Sequence, residues 1–155
     1  MNSINTSRFA CLCLLSLCLT GCYFLQPMEM PPATISYPAQ AQPAAHADDL
    51  LVLLPGIGDY ASAFAQHGFV EQLHAAHYNI DVVAVNAHFK YYEARNLVEQ
   101  LHQHVVLPAL AQGYQRIHFA GVSLGGFGVL LYQREHPELV TSAILLAPYL
   151  GEDVD

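Results

Sequence analysis

Ser123 sits in the stretch "FAGVSLGGFG", Phe119 to Gly128, with Gly121 and Gly125 two residues away on either side. This G-x-S-x-G spacing suits a nucleophilic hydroxyl. On a sharp strand-to-helix turn the serine Oγ projects above the sheet. Glycine at 121 and 125 removes the Cβ atoms that would collide where the helix meets the strand. A helix beginning near Leu124 points its first N–H groups at the site, and the Leu124 N–H is the expected donor to a developing oxyanion. The chemistry implied is acyl transfer through a serine ester. The competing reading is a purely structural tight turn. It is disfavoured by the apolar run before the serine, the helix-like run after it and a second glycine-rich loop, "PGIGD", elsewhere in the chain.

A serine nucleophile needs a base within hydrogen-bond reach, oriented by a carboxylate. After Ser123 the chain has one histidine, His136. Thirteen residues along a helix put it about 20 Å away, too far to act as base. His118 lies within the strand that leads to Ser123 and points sideways from the sheet. His74/His77 and His102/His104 have spacings that look metal-like, but they read as solvated helix histidines, and no metal or other cofactor is expected. His46 lies in a proline-rich segment and His67 near a helix break. Only His88, in "VNAHFKYY" beyond a strand, falls on the same edge of the sheet as Ser123, as a pocket-lining residue or an improvised base. Asp153 and Asp155 follow the last strand, and Asp59 reads as a helix N-cap.

The elements that must position these groups are legible as apolar runs. "LLVLLPG", "IDVVAVNA", "RIHFAGV" and "VTSAILLAP" read as buried strands. Between them, "YASAFAQHGFVEQLHAAH" and "YEARNLVEQLHQHVVLPALAQGY" read as helices. The first has a possible break at Gly68; the second is kinked or divided near Pro108 and stopped at Gly113. "GGFGVLLYQREHP" is a third helix, ending before Pro137. Alternation of this kind predicts an α/β fold: a parallel sheet with helices on both faces. If the second strand lies on one side of the first, and the third and fourth on the other, "PGIGD" and "GVSLGG" meet at one site. "ATISY" could add a short strand. "AILLAP" would be an open, apolar edge.

The four cysteines, Cys11, Cys13, Cys18 and Cys22, all lie in the first 22 of 155 residues, so the rest of the chain can hold no disulfide or thiolate metal site. "MNSINTSR" followed by "FACLCLLSLCL" has the polar start and short apolar core of a signal peptide. "LTGC" resembles the lipobox of bacterial lipoproteins. That resemblance implies cleavage before Cys22, lipidation of its thiol, and export to a bacterial membrane, the outer membrane being favoured by Tyr23. A plain secretory signal is the alternative. The organisation expected is a signal peptide over 1–21, a Pro/Ala/Gln-rich tether over 22–47 and one domain over 48–155. The net charge of -8, with only five Lys and Arg, leaves no basic patch for nucleic acid.

Residues 50–149 resemble the N-terminal half of an α/β-hydrolase core, through "LLVLLPGIGD", "DVVAVNAHF" and "FAGVSLGGFGVLLYQREHPELVTSAILLAP". The resemblance implies Ser123 as nucleophile of a serine hydrolase acting on a small-molecule ester, or less readily an amide. It implies the Ile57 N–H as second oxyanion donor, with Gly56 and Gly58 shaping its loop. Pro55 stands where the family usually has histidine, and the lipase HGGG form is absent. The family places its acid and histidine after Ser123, in that order, and covers the last strand with further strands and a helix. The expectation is therefore a truncated hydrolase with little activity of its own. Two alternatives come from other classes. One is a non-catalytic surface lipoprotein that binds a partner on this scaffold. The other is a dinucleotide-binding domain, from "GIGDYA", which lacks an acidic residue at the end of the next strand.

Overall fold

The computed structural model describes residues 27–40 and 47–151. Five strands form one sheet: β1 (Thr34–Tyr37), β2 (Asp49–Leu54), β3 (Ile80–Val85), β4 (Arg116–Val122) and β5 (Ser142–Leu146). Their order is β1-β3-β2-β4-β5. β2 to β5 run parallel, in the order assumed above for bringing the two glycine loops together, and β1 is antiparallel to β3. The sheet is therefore mixed. It also starts earlier than residue 48, because β1 comes from the segment expected to be a tether.

Alternation along β2 divides the core. Leu50, Val52 and Leu54 face one layer; Leu51 and Leu53 face the other, and all five are buried. The second face is covered by α1 (Ala63–Gln66) and α2 (Phe69–Ala75), through Phe64 and Val70. Gly68, at φ 76°, separates these helices, as its position in the sequence predicts. The first face is covered by α3 (Phe89–Glu93), α4 (Leu97–Leu101), α5 (Leu107–Gln112) and α6 (Leu124–Glu135), through Tyr91, Leu97, Leu101, Ala109, Val129 and Tyr132. Each fully buried Leu or Val on this sheet contributes about 1.5–3 kcal/mol.

The division expected near Pro108 takes the form of a π-helical turn, His102–Val106, that joins α4 to α5. Pro108 lacks the N–H that a regular helix would use, and the wider turn absorbs the mismatch. Gly113 ends α5 in the left-handed conformation, at φ 100°.

The described residues before β2 are docked on the fold. The Tyr91 hydroxyl donates to the Glu29 carbonyl. Met28 packs on the first-face core. Buried Asp81 accepts from the Ala39 N–H at 2.6 Å, the Ala47 N–H at 3.0 Å and the Tyr114 hydroxyl at 2.7 Å. Burial, and then the bond to Asp81, push the Tyr114 hydroxyl up to about 12. This acid staples the entering chain to β3 and takes no part at the opposite end of that strand. Among the described residues no helix is long and apolar enough to cross a membrane.

Candidate active site

β4 ends at Val122, and α6 begins at Leu124. Ser123 alone makes the turn, at φ 50° and ψ -114°, a conformation that non-glycine residues rarely adopt. Its backbone is held on both sides. Its N–H donates to the Leu146 carbonyl at 2.9 Å, and its carbonyl accepts from the Tyr149 N–H at 3.0 Å and the Phe127 N–H at 3.2 Å. The end of β5 thus braces the strained residue. Among the described residues no group hydrogen-bonds the Ser123 side chain.

The two flanking glycines answer to close contacts. A Cβ on Gly121 would lie 2.3 Å from the Gly125 carbonyl oxygen, and one on Gly125 would lie 2.1 Å from the Leu54 carbonyl oxygen. No side chain fits at either place. Register explains the crowding, because Leu54 at the end of β2 pairs with Gly121 near the end of β4. The loop after β2 is thereby brought against the elbow. A Cβ on Gly56 would stand 3.7 Å from Ser123 Cβ and 3.7 Å from Asp59 Oδ2. Gly58 turns the loop at φ 89°. Leu124 is the first residue of α6, so its N–H has no acceptor within the helix.

Asp59 does not cap a helix. Ser62 occupies the N-cap position of α1, and Asp59 instead lies over Gly56. It borders a mostly apolar cavity of about 180 Å³ with Pro55, Gly56, Ala63, Phe64, His67, Phe69 and Val122. This cavity, beside the residue that precedes the serine, had no signal in the motif. The aromatic pair Phe64 and Phe69 across the Gly68 break was its only trace in the sequence.

The histidines are placed less favourably. His88 does not line this cavity. It is buried at the N-terminus of α3, where its Nδ1 accepts from the Lys90 N–H at 3.4 Å and its ring hydrogen-bonds the Pro27 backbone. Burial, and then Lys90, lower its pKa. It is an N-cap rather than a base. His136 caps the far end of α6. Its ring stacks on His102 at 4.1 Å, and His102 Nδ1 lies 3.1 Å from the Tyr132 hydroxyl. His102 is therefore packed rather than solvated, and burial followed by the neighbouring His136 lowers its pKa. No group of His, Cys, Asp or Glu among the described residues could hold a metal ion. Cys22, Asp153 and Asp155 lie outside the described residues.

One hydrogen-bonded Ser-His-Asp chain does exist, at the other end of the sheet. His118 Nδ1 lies 2.8 Å from Ser142 Oγ, and its Nε2 lies 2.9 Å from Asp49 Oδ1. Asp49 also takes both Arg116 donors, at 2.5 and 2.6 Å. The Arg116 bond, then His118, hold the Asp49 carboxyl down at about 2 despite partial burial. This arrangement ties β2, β4 and β5 together. Ser142 is a strand residue with its backbone in the ladder, so no turn or helix start aims donors at its hydroxyl. Five residue steps, about 16 Å, separate His118 from Ser123 along and just past β4.

The Esterase family model matches residues 49–152. Among solved structures, Est1E from Butyrivibrio proteoclasticus, determined with ferulic acid bound, superposes with a TM-score of 0.55 at 18% identity over 75% of this chain and 48% of its own. Rv0554 from Mycobacterium tuberculosis gives 0.56 at 19% identity, over 79% of this chain and 42% of that one. The lipase BlEst2 from Bacillus licheniformis gives 0.53 at 17% identity, over 75% and 46%. The chain thus spans less than half the length of these structures, and at such identities they speak for the fold. No curated protein matches the sequence. The family match begins with the first residue of β2 and runs past the elbow and β5, and on it the chain belongs to the esterase family, with the fold of the α/β-hydrolases.

Proposed function

We propose that Ser123 is the nucleophile of a serine hydrolase acting on small-molecule carboxylic esters, in preference to amides. The observation that carries this reading is the strained serine turn, with the loop after β2 drawn against it and no described group hydrogen-bonded to its hydroxyl. Ser123 Oγ attacks the carbonyl carbon and its proton passes to a base. The N–H groups of Leu124 and Ile57 receive the oxyanion. The bond to the leaving oxygen breaks, the alcohol departs with the proton, and water then releases the acid from the acyl-enzyme.

No described histidine is arranged as that base. His88 and His118 are engaged elsewhere, and His102 and His136 sit at the far end of α6. His67 borders the cavity, and no hydrogen bond links it to Ser123. Little turnover is therefore expected of this chain alone. The same observation favours a second reading, a non-catalytic lipoprotein on a hydrolase scaffold. A fluorophosphonate probe separates the two. Labelling of the folded protein that disappears in Ser123→Ala supports the hydrolase; absence of labelling sinks it.

We further propose that the protein is exported and lipid-anchored through Cys22, in the outer membrane by preference. Residues 27–40 dock on the fold, which leaves four residues, 23–26, between the anchor and Pro27. A chain this short spans at most about 17 Å, so the domain would lie against the bilayer surface rather than at the end of a long tether. Cys22→Ser should move the protein from the membrane fraction to the soluble one; unchanged partition would refute the anchor.

A further inference from the structure

We propose that the cavity bounded by Phe64 and Phe69 seats the acyl group of the substrate and selects compact apolar acyl groups, a single aromatic ring or a short branched chain. This rests on the reading of Ser123 as nucleophile and adds a substrate class to it. Three observations carry it. First, position: Gly56 and Val122 both form its wall, Val122 directly precedes Ser123, and Gly56 stands 3.7 Å from Ser123 Cβ by its own would-be Cβ. The cavity thus adjoins the serine through two of its own lining residues, although Ser123 itself does not line it.

Second, size. A cavity of about 150 Å³ accommodates a benzene molecule. At about 180 Å³, and open to solvent beside Asp59 and His67, this one has room for a ring. Third, lining. Phe64 and Phe69 meet edge to face, with centroids 5.8 Å apart, and Pro55, Ala63 and Val122 complete an apolar wall. Aromatic rings favour an edge or offset partner of this kind. Asp59 and His67 are the polar members, and both are exposed to solvent. Such a site rewards an apolar body carrying at most one polar substituent.

The test uses fluorobenzene as a reversible probe, followed by 19F NMR, and phenylmethanesulfonyl fluoride as a reactive one. Fluorobenzene should bind saturably. Binding should be lost in Ala63→Phe, which fills the cavity, and weakened at least fivefold in Phe69→Ala, which removes a partly exposed wall and leaves most of the core intact. It should be unchanged in Ser123→Ala. Bound fluorobenzene should slow sulfonylation of Ser123 at least fivefold. Absence of saturable binding by folded protein, or binding indifferent to both cavity variants, overturns the proposal. So does bound fluorobenzene that leaves sulfonylation unaffected, since the cavity would then lie off the reaction path. Protein that binds fluorobenzene but is never sulfonylated refutes the nucleophile, and the acyl role with it, while the cavity stands as a binding site.

Discussion

The Ser123 N–H donates to the Leu146 carbonyl at 2.9 Å, so the strained elbow is held by the end of β5. The next residue after β5, Ala147, is itself at φ 45°. Ser123 and Ala147 thus both carry positive-φ backbone that non-glycine residues rarely adopt, each at a cost of about 1–3 kcal/mol. Glycine should relieve either one. Ser123→Gly and Ala147→Gly are each expected to raise stability by about 1 kcal/mol in urea denaturation. Only Ser123→Gly should abolish fluorophosphonate labelling. Equal loss of labelling in both would mean that the probe reports on elbow shape rather than on the hydroxyl.

The glycines of the site should separate by mechanism. At Gly125 a methyl group would meet the Leu54 carbonyl oxygen at 2.1 Å, with backbone on both sides of the clash. Gly125→Ala should cost on the order of 4 kcal/mol or fail to fold. At Gly58 a methyl group meets nothing within 4 Å, and only its φ of 89° opposes it. Gly58→Ala should cost about 1 kcal/mol. Thermal denaturation of the two variants side by side measures the difference, and comparable losses would contradict the close-packed elbow.

These contrasts bear on what the residue string could convey. Four strands were legible, because buried parallel strands are continuous apolar runs. The meeting of the two glycine loops followed only from an assumed strand order, which the pairing of distant strands decides and apolar runs do not. β1 was hardly legible, because Thr34–Tyr37 is mostly exposed and owes its place to pairing with β3, a long-range fact. The docking of residues 27–40 was hidden for a similar reason: it depends on Asp81 and Tyr91, whose partners are distant backbone groups. Asp59 looked like a cap from its spacing to the helix, yet α1 starts later, after Ser62. His88 looked available from its position on the sheet edge; burial and two hydrogen bonds make it structural.

Asp49 should govern stability in acid. Its folded pKa, about 2, lies below the ordinary value of 3.8, because Arg116 and His118 hold the carboxylate charged. Its contribution is therefore complete above about pH 4 and lost as the pH falls through 2. Asp49→Asn should cost about 1 kcal/mol near neutrality and flatten the decline between pH 4 and 2. Urea midpoints across that range test it; an unchanged slope in the variant would remove Asp49 as the cause.

A second titration belongs to His88 and occurs at milder pH. Burial lowers its folded pKa below 6.5, with Lys90 acting the same way, so the unfolded chain takes up the proton first. The stability it contributes is complete above about pH 6.5 and declines as the pH falls below that value. The structural reason is direct: Nδ1 accepts from the Lys90 N–H, and a protonated Nδ1 has no lone pair to offer. His102 is shifted in the same direction by burial and His136, so both should contribute to weakening as the pH falls below 6.5. His88→Asn keeps an N-cap acceptor and removes one titration. It should give a shallower fall in urea midpoint over that range, with the remainder removed by adding His102→Gln. A fall as steep as that of the parent protein in the double variant would assign the transition to other groups.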